Sequence, residues 1–403
     1  MALMPVADAL AAVLSGVDAL AAESVAFDGA FHRVLASDLA ALRTQPPAAM
    51  SAMDGYAVRA ADIGVLPAKL TVIGEVAAGR PFDGTVGAGQ AVRIFTGGVV
   101  PEGADTVVIQ EDTTRDDDRV TLRAPTAAGR NIRAAGIDFR AGDVLLRKGE
   151  RLTDRDLSLA ASMNHASLPV HRRPRVAFVA TGDELVMPGS ALAPGQIVYS
   201  NGYALHALAR SEGAEVIDLG LVGDTLQATT DAIRRARDSK ADILVTTGGA
   251  SVGDHDVVQR ALTHEGIELA FWKVALRPGK PMMHGRSGTM RVLGLPGNPV
   301  SSYVCAFLFL VPLIRALSGR NEVRHPVEAA VLTADVPEND QRQDYLRAQL
   351  TPRPDALPLA TAVTRQDSSL MAYLSSAQAL IVRDPFAPAA RAGSVCRILR
   401  LPA

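Results

Sequence analysis

A chain of 403 residues is too long for one ordinary core, and a prior of roughly 100 to 200 residues per domain divides it into three or four units. Apolar residues at 48% and charged residues at 21% fit a folded globular protein, while an aromatic content of 4% argues against a surface of stacking platforms for single-stranded nucleic acid. With 41 basic and 43 acidic side chains the formal charge is -2, so no whole-molecule field draws in an anion and any phosphate site has to be assembled locally.

The N-terminal stretch carries Asp8 and Asp18 without the basic region of a leader, and reads as an amphipathic helix. Helical spacing runs over residues 5 to 42, with Val6, Leu10, Val13, Leu14 and Val17 on one face, and ends in the punctuation TQPPAAMSAMDG. Short alternating stretches follow, LTVIGEV, AVRIFTG, DTVVIQE and RVTLRA, which predict a small β domain over residues 48–138. Within it Asp54 stands beside Gly55 in SAMDGYAV and reads locally as a turn acid; Thr96 stands beside Gly97 and Gly98. GDVLLRKGERLTDRDLSLAASMNH returns to helix, with Thr153 as N-cap of a segment starting near Asp154. An elongated, helical N-terminal domain is therefore discontinuous, 1–47 with 139–171, and HRRPRV leads out of it as a linker.

Residues 172–322 alternate strand and helix, from RVAFVAT through DILVTTGG to a long helix after GLPGNP, the pattern of a doubly wound parallel sheet. The fold class is thus multidomain α/β. Such sheets bind ligands where loops and helix starts converge at the carboxyl ends of the strands. Those loops carry Thr181, Gly182, Asp183 and Glu184; then Asp224; then Thr247, Gly248, Gly249, Ser251, Gly253, Asp254 and Asp256; and last Pro296, Asn298 and Pro299. Carboxylates beside a glycine-rich anion cradle imply a divalent cation between them, and magnesium is the natural one. Any one acid serves equally well as a helix N-cap, and TTGG as a tight turn; convergence on one edge favours a site. The LPGNP helix start offers free N–H groups to an anion, or is simply a rigid helix entry.

FWKVALRPGKP places Lys273, Arg277 and Lys280 together, as an oxyanion clamp or as a solvated basic turn. GKP is not GK[ST] and GGASVG is not GxGxxG, so both standard nucleotide motifs are absent. VSSYVCAFLFLVPLI is short for a membrane span and holds Pro312, which makes it a buried core helix. Residues 323–403 contain short β runs between proline-rich turns and predict a small barrel or sandwich. Cys305 and Cys396 lie far apart without metal-type spacing, which fits a reducing cytoplasm. The eight histidines form no HxH or HxxxH pair; only His255, between two acids, draws notice.

SAMDGYAV, RIFTGGVVPEGADTVV, GIDFRAGD, TGDEL, TTGGASVGDHD, FWKVALRPGKP and GLPGNPVSS, in this order, closely resemble the molybdopterin molybdenumtransferase family, which includes the E domain of gephyrin. The likeness runs from about residue 30 to 319 and continues weakly into RQDYLRAQL. It implies an elongated four-domain homodimer whose doubly wound domain binds the pterin, and a magnesium-assisted insertion of molybdate into adenylated molybdopterin with loss of AMP. It implies that Asp54, Asp138, Glu184 and Asp256 are catalytic, that Glu184, Asp224 and Asp256 hold the metal, and that Thr96 is functional. It adds Lys273, Arg277, Lys280, Pro296 and Pro299 to the cleft, with Arg347 and Ser369 from the tail; some relatives carry Lys in place of Arg277. Because the family site lies between subunits, Asp54 is expected to reach the partner's sheet domain. Expected protein partners are a second copy, a molybdopterin adenylyltransferase and molybdoenzyme apoproteins, with no nucleic acid and no membrane. Other readings stay open: a molybdopterin adenylyltransferase, which the extra domains argue against; a non-catalytic gephyrin-like scaffold, which the intact acid set argues against; and a general nucleotide hydrolase.

Overall fold

The computed structural model describes residues 3–77, 79–248 and 257–402. Gly249, Ser251, Gly253, Asp254, His255 and Asp256 of the sequence reading lie outside them. At the centre of the α/β unit, Arg175–Thr181 is buried at every residue but its first, as a strand covered on both faces must be. Its alternate side chains part to two cores. Val176 and Phe178 join the helices Asn201–Ser211 and Pro299–Leu317 on one face; Ala177 and Val179 join Leu226–Asp238 and Val257–His264 on the other.

The sheet runs in the order Glu215–Val222, Arg175–Thr181, Ile243–Thr247, Met290–Leu295, Pro281–Ser287, Glu268–Lys273. The first four strands are parallel, Pro281–Ser287 runs against them, and Glu268–Lys273, antiparallel to that strand, runs with them. Only the turn at Gly288 and Thr289 separates Ser287 from Met290, with Gly288 at φ 59, and so short a link joins antiparallel neighbours only. The apolar segment at 299–317 is long enough by length and composition to cross a membrane, but 83% of its window is buried as core. Its turns widen to π geometry over Ala306–Leu310, just ahead of Pro312, which has no N–H to continue the regular ladder.

The helix expected over 5–42 stops at Leu14. Beyond it Ala22–Val25 pairs with Leu168–His171, and Leu39–Ala40 pairs with Val144–Leu146. Partners more than 100 residues away supply these ladders, and local alanine-rich propensity carries no trace of them. Val6, Ala9 and Val13 bury into the α/β core beside Val274, Leu276 and Leu317, so the first helix docks there and not on the discontinuous unit that follows it. In that unit Asp154–Ser162 is helical, started by the expected Thr153 cap, with Asp156 completing a reciprocal capping box. The small β region forms a six-stranded sheet ordered Thr106–Ile109, Gly55–Val58, Gln90–Ile94, Ala68–Val76, Arg119–Leu122, Thr113–Asp116. In the tail Gln343–Arg353 pairs with both Ala356–Ala362 and Ala379–Arg383, which closes a barrel through Glu328–Leu332 and Val395–Arg400.

Candidate functional site

A cleft of about 690 Å³ opens at the carboxyl ends of the parallel strands. Two glycines draw its floor together. Gly248, directly after Ile243–Thr247, holds φ 91, and a Cβ there would lie 2.2 Å from the Thr181 carbonyl oxygen. A Cβ on Gly182 would lie 2.7 Å from Glu184 Oε2. Thr181 is 3% exposed and its Oγ1 has no hydrogen-bond partner among the described residues, although its residue lines the cleft. A buried hydroxyl in that state is short of one acceptor or donor, and a ligand oxygen can supply it.

Thr247, Glu184 and Asp224 also line the cleft, the two acids being exposed. Asp183 does not; its Oδ1 accepts the Asp224 N–H at 3.1 Å and ties the two loops together. Among the described residues no three His, Cys, Asp or Glu side chains form a metal-holding group. Two carboxylates on one wall still suit magnesium, which is commonly held by one or two protein carboxylates plus substrate phosphate.

The helix starts behave differently from expectation. Pro296, Asn298 and Pro299 line the cleft, but the Val300 N–H donates to Ser368 O at 3.0 Å and Asn298 Nδ2 to Ser368 Oγ at 2.8 Å. The tail thereby occupies one of the amides the sequence reading left to an anion. The same tail segment sends Ser369 and Met371 into the cleft. Arg347, expected in the cleft, is 1% exposed behind it, donating to Gln366 Oε1, Arg365 O and Leu370 O at 3.2, 3.2 and 3.3 Å. A buried guanidinium satisfied by carbonyls is a strut for the 365–370 segment.

Sequence reasoning missed a second wall made of Leu185, Ile197, Val198, Tyr199, Ser200 and Asn201. Ser200 and Asn201 ahead of a helix were a readable start signal; the rest follow no motif. Burial pushes the Tyr199 hydroxyl up to about 12, with Asp218 and Tyr203 adding to it, so the phenol stays neutral near pH 7. Ile197 and Val198 are 55% and 40% exposed and give the cleft an apolar side.

Of the basic segment, Pro281 lines the cleft while Lys273, Arg277 and Lys280 do not. Arg277 donates through Nε and Nη2 to Asp344, through Nη1 to Asp340 at 3.2 Å and through Nη2 to Asn339 at 2.8 Å. Hydrogen bonding to Asp344 raises its pKa further, so the fork expected to clamp an oxyanion is committed to acids of the tail. Lys273 is half-buried and Lys280 exposed. Asp54, Thr96 and Asp138 do not line the cleft of their own chain. Asp54 Oδ1 accepts both the backbone N–H and the hydroxyl of Thr96 at 2.7 Å, which with Arg93 nearby hold its carboxyl below the ordinary range.

A multidomain chain with a cleft at the carboxyl edge of a doubly wound sheet, lined in part by Ser369 and Met371 of the tail, is the class that the fold and the cleft define. Residues 177–316 match the probable molybdopterin binding domain, 4–164 the MoeA N-terminal region (domain I and II), and 329–401 the MoeA C-terminal region (domain IV). The molybdopterin molybdenumtransferase of Haemophilus influenzae is 38% identical over 79% of this chain and 78% of its own length; that of Bacillus subtilis is 38% identical over 89% and 85%. A molybdopterin biosynthesis MoeA protein from Pyrococcus horikoshii OT3 superposes with a TM-score of 0.83 at 26% identity, covering 99% of this chain and 100% of that one. The chain belongs to the molybdopterin molybdenumtransferase family.

Proposed function

We propose that the chain is an enzyme of molybdenum cofactor biosynthesis that inserts molybdate into adenylated molybdopterin and releases AMP. What carries this reading is the cleft in which the unpartnered Thr181 hydroxyl, Glu184 and Asp224 share a space closed by Ser369 and Met371 of the tail. Matches along all three regions of the chain favour it over an adenylyltransferase and over a non-catalytic scaffold.

Repulsion between a pyrophosphate and a molybdate dianion is the first obstacle to the reaction. In this reading the Thr181 hydroxyl takes a phosphate oxygen, Asn201 and Asn298 flank the nucleotide part, and Ile197 with Val198 face the pterin ring. Lys280, next to Pro281 of the cleft, and Lys273 supply positive charge toward molybdate. Magnesium would be held by Glu184 and Asp224, with Asp256 as the third ligand expected from sequence, and it supplies neutralisation of the pyrophosphate and polarisation at phosphorus. Asp54 or Asp138 of a second subunit orients or deprotonates the attacking water, which requires a homodimer. Two free cysteines accord with a reducing cytoplasm, where the adenylyltransferase and the molybdoenzyme apoproteins would be its neighbours in the sequence of reactions.

Adenylated molybdopterin incubated with magnesium, with and without molybdate, tests the reading. AMP is expected only when molybdate is present, and Asp224→Ala is expected to slow its release by about 100-fold. Consumption of ATP without molybdate would identify an adenylyltransferase instead, and tight binding with no AMP under any condition would identify a scaffold.

A further inference from the structure

Two helices bring their N-terminal ends to the cleft: Asn201–Ser211 through Ser200 and Asn201, and Pro299–Leu317 through Asn298 and Pro299. At that end they are joined by Asn201 Nδ2, which donates to Gly297 O at 2.7 Å. At the far end they are joined again. Glu212, one residue past the first helix, accepts from Arg315 Nε and Nη2 at 2.9 and 2.6 Å and from Arg320 Nη1 at 2.7 Å. These three side chains are only 10%, 12% and 13% exposed.

The discontinuous N-terminal unit grips the same point. Arg151 donates to Ser211 O at 2.7 Å, and Arg173 of the linker donates to Gly213 O at 3.0 Å. Burial alone would raise the Glu212 carboxyl, but the hydrogen bonds from Arg315 and the charges of Arg315, Arg320 and Arg151 outweigh it and keep it ionised. A buried ion pair is a poor source of net stability, because desolvation consumes most of the Coulomb gain. What a forked guanidinium on a carboxylate does supply is fixed geometry. A helix of 11 residues is about 16 Å long and stiff, so a shift at one end reappears at the other.

We propose that Glu212 is a positioning residue for the cleft: its pairing with Arg315 and Arg320 sets the spacing of the two helices, and hence where Asn201 and Asn298 stand around bound adenylated molybdopterin. The inference rests on the function proposed above for the identity of the ligand, but not for the mechanics. None of the three residues lines the cleft.

Glu212→Gln keeps the shape and removes the charge. In the full-length protein it is expected to weaken equilibrium binding of adenylated molybdopterin about tenfold, with kcat at saturating substrate within about twofold of wild type. Hydrogen exchange of the amides around Asn201 and Val300 is expected to accelerate by about tenfold, and Arg315→Lys, which keeps the charge but loses the fork, is expected to reproduce both effects. Asp242→Asn is the control. It breaks the pair with Arg172 at 2.7 Å, whose carboxylate is 12% exposed, at the start of the central strand Ile243–Thr247 and off both helices, and should lower Tm without either change. A Glu212→Gln protein with lowered Tm but wild-type affinity and wild-type exchange at both helix starts overturns the proposal. If the wild type does not bind adenylated molybdopterin, yet exchange at the helix starts still rises in Glu212→Gln, the positioning role stands and the functional reading falls. Should Glu212→Gln fail to fold, Arg315→Met read by the same two measurements decides between these outcomes.

Discussion

Thr181 ends its strand with a hydroxyl that finds no partner among the described residues. Keeping such a group buried costs about 1–3 kcal/mol, and valine has nearly the same shape without the oxygen. Thr181→Val is therefore expected to unfold at the same or a higher urea concentration than wild type, while binding adenylated molybdopterin about tenfold more weakly. Urea titration and calorimetry measure the two quantities separately; lost stability with unchanged affinity would assign the hydroxyl to the fold. His325 makes the opposite case, a polar residue used by the core. Its ring stacks on Phe307 at 3.7 Å between centroids, its Nε2 lies 2.6 Å from Phe307 O, and burial, with Arg315 and Arg320 nearby, lowers its pKa to about 4. The unfolded chain takes up this proton near pH 6.5 and the folded one only near 4. The stability that the neutral ring contributes is thus complete above about 6.5 and declines as the pH falls toward 4, by up to about 3 kcal/mol. Denaturation curves at pH 7 and pH 5 are expected to differ by most of that amount, and His325→Gln to reduce the difference.

At the scale of elements, the strands that carry the site were the easiest to read. RVAFVAT and DILVTT are apolar runs buried on both faces, and only the interior of a sheet accepts such runs. Residues 15–42 were not readable as strands, because an alanine-rich segment with helical spacing pairs here with partners at 144–146 and 168–171. Arg277 and Arg347 failed for a related reason: both look like ligand clamps until the tail folds back with Asp344 and with the 365–370 carbonyls. A charge in a sequence does not announce its partners when they come from a carboxylate 67 residues on, as for Arg277, or from main-chain carbonyls of a loop, as for Arg347. The strut role of Arg347 has its own consequence. Arg347→Leu removes the buried side-chain donor to the Arg365 and Leu370 oxygens, while Gln366 Oε1 keeps the residue-347 N–H, at about 2–3 kcal/mol in total. The loop it supports carries Ser368, which docks on the Asn298 helix start, and Ser369, which lines the cleft. Thermal melting is expected to show the loss of stability, and substrate titration a raised KM with a smaller change in kcat; a lowered Tm with unchanged KM would detach the loop from binding.

Across the whole molecule the candidate residues read from sequence fall into two groups that one chain does not unite. Glu184, Asp224, Thr181 and Gly248 line the cleft; Asp54, Thr96 and Asp138 stand in the β region and the segment after it, away from that wall. The Asp54 carboxylate is exposed and held ionised by two donors from Thr96, a poor use of a charge inside its own domain and a suitable one for a surface that meets another subunit. If the second group completes the cleft of a partner, Asp54→Asn and Asp224→Ala proteins are each inactive alone for different reasons. Mixed and allowed to exchange subunits, they form heterodimers in which one of the two clefts has both an intact Asp54 and an intact Asp224. Equal mixing yields about half heterodimer, each with one working cleft of two, so AMP release is expected to return to about a quarter of the wild-type rate. The recovery must follow the time course of subunit exchange measured by native mass spectrometry. Activity that stays at the level of the single variants after complete exchange places Asp54 in the service of its own chain.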